Sequence, residues 1–235
     1  MAELTVKQIG SHILLTLEND ALTEKEREKI LSMGGEDEQE ELEALLEEAQ
    51  AAARPKMVFQ VSSIDEKGDD FVIIEGIKVV SPLMRKNFDK VNRVFPFVAS
   101  CGTELEKWAE GYRDDFLAEF WCEEIRKMYL THIHIAARPW MQETYGLTGH
   151  FASMNPGSIQ DWPLSGQLQL FGMLDREKVL EEVGVKLTDS MLMLPSKSNS
   201  GIIFESGKAY ENCSRCPILK CPGRRADPDP DVETR

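Results

Sequence analysis

At 235 residues, with 42% hydrophobic and 29% charged side chains, the chain can bury a sizeable core and has the balance of a globular protein. Its formal net charge of −14, from 41 acidic against 27 basic residues, argues against nucleic acid and anionic membrane surfaces as partners. No apolar run reaches membrane-span length, and residues 1–20 lack a basic leader ahead of a long apolar core, so the expected compartment is the cytoplasm.

In chain order, residues 11–17 (SHILLTL) are apolar enough for a strand or a short helix. Thr23 and Glu26 stand at capping-box spacing and predict a helix that Gly34-Gly35 stops. A second helix over 38–53 sets Leu42, Leu45, Leu46 and Ala49 on one face, turns the acidic run 36–48 to solvent, and ends before Pro55. Residues 57–64 and 71–80 read as strands joined by the turn chemistry of 65–69, with a tighter turn at Glu75-Gly76. Ser81-Pro82 is an N-cap and first-turn pair for a helix ending near residue 91. Residues 94–101 (VFPFVASC) predict a buried strand broken by Gly102, and Thr103 with Glu106 repeats the capping-box pattern for a helix through Tyr112.

The longest helical pattern covers 113–138. Phe116, Phe120, Trp121, Ile125, Met128, Tyr129, His132, Ile135 and Ala136 give it a wide apolar stripe, so it is expected at the centre of the fold, with Pro139 kinking or restarting it. A bend at Asn155-Pro156-Gly157-Ser158, opened to a ligand by its proline and glycine, then precedes Asp161-Trp162-Pro163. Asp161 reads as the N-cap of a helix whose Leu164, Leu168 and Phe171 share a face. A short charged helix over 176–183 stops at Gly184, and 186–195 with 201–205 look like paired strands. Helices and strands mix without a βαβ rhythm, so the class is α+β.

Five cysteines in a long chain argue against a disulfide framework. Cys213, Cys216 and Cys221, in CSRCPILKCP, have a spacing at which three thiolates can converge on one metal or cluster, and Arg215, Lys220, Arg224 and Arg225 would lower their pKa. A [4Fe–4S]-type cluster, zinc, and a metal-free, redox-labile turn all stay open. Cys101, Cys122, a histidine or an external ligand would be the fourth partner. Taken alone, Cys101 and Cys122 read as buried small hydrophobes. His132 and His134, two apart on a helix, face different ways and read as satisfied imidazoles. Met191 and Met193 read as core packing or as a soft wall against a flat apolar ligand. There is no nucleophile elbow, P-loop or dinucleotide fingerprint.

Asn155-Pro156-Gly157, the Asp161-Trp162-Pro163-Leu164 step into a Gln167-bearing helix, and the block LTDSMLMLPSKSNSGIIF over 187–204 resemble the activation domain of cobalamin-dependent methionine synthase. The likeness is to a free-standing, anaerobe-type relative with a C-terminal cysteine motif. It runs over about residues 57–204, and the second block is the more specific. It implies one curved, mixed α+β domain over 57–210. A helical segment (1–56) would pack on that domain, followed by the cysteine motif (211–226) and a disordered tail (227–235). It also implies a site that presents S-adenosylmethionine to the cobalt of a corrinoid domain, where methyl transfer traps reduced cobalamin.

The family's ligand loop, Arg-x-x-Pro-Gly-Tyr, falls on Ser153, Met154, Asn155, Pro156, Gly157 and Ser158. The proline and glycine match; the arginine and tyrosine are serines. Losing the arginine removes a charge-assisted grip on the ligand carboxylate worth about 1.5–3 kcal/mol, which counts against ordinary S-adenosylmethionine binding. Asp115 is implied as the acidic ligand contact on the long helix.

The expected function is that of an accessory protein of a corrinoid-dependent methyltransferase. It would dock on a cobalamin-carrying partner through 155–158 and 191–200 and support reductive activation, with a cluster at Cys213, Cys216 and Cys221 as an electron route. The alternatives are a non-catalytic corrinoid-binding scaffold with a zinc-stapled tail, and an S-adenosylmethionine-binding methyl donor domain. No nucleic-acid or membrane partner is expected.

Overall fold

Strand β7 (Arg93–Ser100) is the spine of the fold, buried at every position after Arg93. It is paired on both edges and covered on both faces. One edge takes β3 (Lys56–Gln60) and then β4 (Ser62–Lys67); the other takes β11 (Ser198–Ser206). Beyond β3 lie β2 (His12–Glu18) and β1 (Glu3–Ile9). Beyond β4 come β5 (Phe71–Ile74) and β6 (Ile77–Val80), and β8 (His150–Met154) flanks β11. All pairings in this nine-stranded sheet are antiparallel. The computed structural model describes residues 2–18, 20–216, 218–221 and 224–229.

The two-residue period of the central strands assigns each side chain to a face. Met57, Phe59, Phe95 and Phe97 pack against Ile133, Ala137 and Met141 of α5 (Phe116–Tyr145). Val58 and Val98 meet Phe171 of α6 (Gln167–Met173) and Val179 and Val183 of α7 (Arg176–Val183) on the other side. The first half of α5 packs with α1 (Glu24–Leu31), α2 (Gln39–Ala52) and α4 (Thr103–Ala109) around Leu42, Leu45, Leu46, Trp121 and Ile125. The mixed α+β class is therefore the observed one, and the long helix is central. At 30 residues it spans about 45 Å.

Local chemistry explains several boundaries. The Thr23–Glu26 capping box is formed, and Gly146 ends α5 in the left-handed region at φ 63°. Pro139 neither ends nor restarts α5; it sits within the helix on an exposed position. Thr103 is a helical residue and Gly102, at φ 98°, precedes it, so the second capping box is not made. An added Cβ at Gly102 would lie 2.3 Å from the Arg54 carbonyl oxygen.

Other expectations need correction. The stretch 11–17, open between strand and helix, supplies most of strand β2 (His12–Glu18), and 3–9, unread in the sequence, pair with it. The 57–64 strand is split at Val61 into β3 and β4, which lets one stretch serve two parts of the sheet. The helix from Pro82 ends at Asn87. Residues 186–195 do not pair with 201–205. Instead β9 (Lys186–Leu187) pairs with β10 (Met193–Leu194), while β11 joins β7 and β8. Met191 and Met193 are half-buried against the Val58–Phe171 cluster, as core packing. Residues 1–56 contribute two strands to the main sheet as well as two helices. In the tail expected to be disordered, Asp229 bonds through its backbone N–H to the Ser214 carbonyl at 2.7 Å. Residues 230–235 lie outside the described residues.

The segment entering α1, and the first turn of α1 itself, are tied to α5 by His132. Its Nδ1 lies 2.6 Å from an Asp20 carboxylate oxygen and its Nε2 3.0 Å from both Glu26 oxygens. Burial opposes the imidazolium, but the Asp20 and Glu26 carboxylates outweigh it and hold the pKa above its ordinary 6.5. A raised pKa means that this stabilisation is complete below about pH 6.5 and is lost as pH rises through the folded-state value. The melting-temperature gap between wild type and His132→Gln should therefore be widest in mild acid and narrow in base; a gap that ignores pH would contradict the assignment.

Candidate functional site

Four side chains of α5, Lys127, Thr131, His134 and Arg138, recur at steps of four, three and four residues, so they share one helix face. That face forms one wall of a cavity of about 550 Å³. Strands supply the floor through Phe97, Phe151, Ser153, Asn199 and Ile203. The last wall is the segment after β11, with Tyr210, Glu211, Asn212 and Arg225.

Hydrogen bonds fix the floor and tie it to the last wall. His134 Nε2 lies 2.8 Å from Asn199 Oδ1, which fixes Nε2 as the protonated nitrogen. Burial pushes the imidazole pKa down, against the Asn199 hydrogen bond, so the ring is neutral. Asn155 Nδ2 donates to the Ser200 carbonyl at 2.6 Å. Asn155 Oδ1 accepts from Asn212, whose own Oδ1 accepts from the Tyr210 hydroxyl at 3.1 Å. Ser200 Oγ donates to Gln167 Oε1 at 2.8 Å, a buried pair. The two sequence blocks, one around Asn155 and Gln167 and the other over 187–204, thus meet at Ser200 behind this cavity.

Of the six loop positions, Ser153 and Asn155 line the cavity. Pro156 is buried, and the exposed Gly157, at φ 81°, folds the turn by donating to the Trp162 carbonyl at 2.8 Å. Ser158 closes the same turn with a 3.1 Å bond to the Asn155 carbonyl. Asp115 is not on the cavity wall. Its carboxylate caps α5, accepting from Leu117 N and Ala118 N at 2.9 and 3.0 Å. Asp161 does not cap the helix that follows it. Its Oδ2 accepts from Leu83 N, in the first turn of α3 (Pro82–Asn87). Among Leu164, Leu168 and Phe171 only Phe171 is buried; the core face of α6 runs through Leu170, Phe171 and Met173.

The cysteines separate into two environments. Cys101 and Cys122 are fully buried, and burial pushes both thiols up to about 12, with Glu106 adding to the effect at Cys101. Cys213 and Cys216 are partly exposed, and Cys221 is exposed. Iodoacetamide added to the native protein should therefore modify these three and spare Cys101 and Cys122, as peptide mapping would read; labelling at Cys101 would contradict its burial.

No group of three His, Cys, Asp or Glu side chains among the described residues is placed to hold a metal. Pro217, Pro222 and Gly223 of the motif lie outside the described residues. What organises the loop is Arg224. Its guanidinium donates to the carbonyls of Cys213, Cys216, Ile218 and Ala226, the last three at 2.8–3.0 Å. As placed, the three sulfurs are not gathered into a metal-ligand set among the described residues.

Sequence reasoning missed Arg138, Lys127 and Arg225 as cavity residues. Arg138 Nη2 donates to the Phe151 carbonyl at 3.0 Å, and the guanidinium stands 5.0 Å from the Phe151 ring centre. The helical spacing from Lys127 to Arg138 was the available signal. It shows a shared face but not what lies opposite.

No protein-family profile and no curated protein matches the sequence. The fold is similar to that in the crystal structure of the MetH reactivation domain bound to AdoHcy. The TM-score is 0.54 at 15% identity, over 82% of this chain and 69% of that one. No helix among the described residues is long and apolar enough to cross a membrane.

Proposed function

We propose that this protein is an accessory module of a corrinoid-dependent methyltransferase system, which supports the reductive activation of cobalamin carried by a partner. The reading rests chiefly on one coincidence. The two sequence blocks that resemble the methionine synthase activation domain converge, through Asn155, Gln167 and Ser200, on one cavity in a fold shared with a reactivation domain. That relative is bound to AdoHcy, and a cavity of about 550 Å³ is the size of a small-ligand site. The ligand proposed for it is accordingly an S-adenosyl compound.

Cobalamin bound to the partner would supply the redox-active cobalt. This chain's residues would hold the ligand and present it. Asn155 and Asn199 are fixed by their partners before any ligand arrives, and the neutral His134 can orient a polar group without adding charge. The surface beside the turn is suited to a partner. Leu164, next to Gly157, and Leu168 are exposed, as are Leu192 and Leu194 on the β9–β10 hairpin. The C-terminal cysteines have no step in this proposal.

Titrating S-adenosylhomocysteine into the protein by calorimetry tests the ligand, and size-exclusion chromatography with a cob(II)alamin-loaded corrinoid protein tests the partner. Saturable binding and co-elution are expected. Loss of both would remove the proposal.

A further inference from the structure

The cavity walls carry three cations, Lys127, Arg138 and Arg225, against one carboxylate, Glu211. This local excess stands out in a chain with 41 acidic and 27 basic residues. Clustered cations repel one another and persist at a cleft where an anion is drawn in. The Glu211 carboxylate sits 3.8 Å from Arg225 with both side chains well exposed, too loose and too solvated to neutralise that cation. Lys127 is paired with Glu124 at 3.5 Å, which leaves Arg138 and Arg225 for an anion.

Arg138 is held for the task. One amino group is engaged by the Phe151 carbonyl at 3.0 Å and the plane is steadied over the Phe151 ring. The other amino group makes no hydrogen bond among the described residues. A guanidinium anchored in this way loses little freedom when it binds a planar or tetrahedral anion. Arg225 approaches from the opposite wall. It follows Arg224, whose four carbonyl contacts fix the backbone there.

We infer that this cavity binds a small organic anion, carboxylate- or phosphate-bearing, whose charged end lies between Arg138 and Arg225 and whose body rests towards Phe151 and Tyr210. The inference rests on the cavity being a ligand site, but not on the ligand being an adenosyl compound. It also shows how a chain with Ser153 in its ligand loop can still grip an anion: the charge comes from α5 and from the C-terminal segment.

Calorimetry with four probes tests it: inorganic phosphate, 5′-AMP, adenosine and S-adenosylhomocysteine. Phosphate and 5′-AMP should bind competitively, and added salt should weaken both. The 5′-AMP should bind about tenfold or more tightly than adenosine, as one charge-assisted contact allows. The double variant R138Q/R225Q should lose that advantage while keeping the wild-type melting temperature.

Equal affinity for 5′-AMP and adenosine, an unaffected double variant, or no binding of phosphate and 5′-AMP at millimolar concentration would overturn the inference. Competitive binding of phosphate, with silence from adenosine and S-adenosylhomocysteine, would uphold the anion site and reject the adenosyl ligand. If the double variant melts early, R138K/R225K decides. It keeps the charge and should retain part of the preference for 5′-AMP; loss of all preference in that variant would contradict the inference.

Discussion

Replacing Trp162 with alanine is expected to lower stability by about 3–5 kcal/mol, the range for deleting a buried aromatic side chain. Trp162 is 1% exposed and packs with Ile159, Leu170 and Phe204. Its indole N–H donates to Gln169 Oε1 at 3.1 Å, and Gln169 in turn donates to the Lys78 carbonyl at 2.7 Å, so one side chain links the turn, α6 and the edge of the sheet. Gly166 is held so close that a Cβ there would lie 2.3 Å from the indole nitrogen. In a domain of this size the melting temperature should fall by about 10 °C. The turn at 155–158 would loosen with it, because the Gly157 N–H is bonded to the Trp162 carbonyl. Thermal denaturation measures the first effect, and amide exchange at Gly157 and Ser158 the second. An unchanged melting temperature would show that this indole is not a structural pin.

Gly201→Ala should disable the cavity more than it destabilises the fold. A Cβ at this position would stand 2.5 Å from Asn155 Nδ2 and 2.6 Å from the Met154 carbonyl oxygen. The backbone contact cannot yield without moving β8 away from β11, where Ile202 pairs with Met154. Overpacking of this kind costs about 1–3 kcal/mol. The displaced group is the Asn155 amide, which holds the Ser200 carbonyl and accepts from Asn212. Binding of 5′-AMP should therefore drop by about tenfold or more, with the molecule still folded by circular dichroism. Wild-type affinity in Gly201→Ala would mean that the Asn155 network does not shape the site.

Much of this architecture could be read locally. The helices α1, α2 and α7 carry their own signals: the Thr23–Glu26 box, the leucine face of 42–46, and Gly184 as a left-handed stop at φ 75°. The length of α5 was underestimated because proline is a local breaker. In the fold Pro139 faces out, and the apolar positions Ala137 and Met141 on either side hold the helix to the sheet.

What was not legible was mostly non-local. Strand β8 runs directly into the turn at 155–158, and its pairing partner lies some fifty residues on. Asp161 has the right residue type for an N-cap but serves a helix 78 residues earlier in the chain. The cavity draws on α5, three strands and the C-terminal segment, and no spacing rule joins Arg138 to Arg225. Ser153 and Asn155, expected in the ligand loop, line this cavity, and on the inference above Arg138 and Arg225 would supply the charge that Ser153 does not.

The most direct test of the central claim is anaerobic visible spectroscopy of a cob(II)alamin-loaded corrinoid partner with a low-potential reductant and S-adenosylmethionine, with and without this protein. The account predicts that cob(II)alamin is converted to methylcobalamin faster when the protein is present, and that R138Q/R225Q removes most of the gain. A rate that is the same with and without the protein would contradict a role in reductive activation.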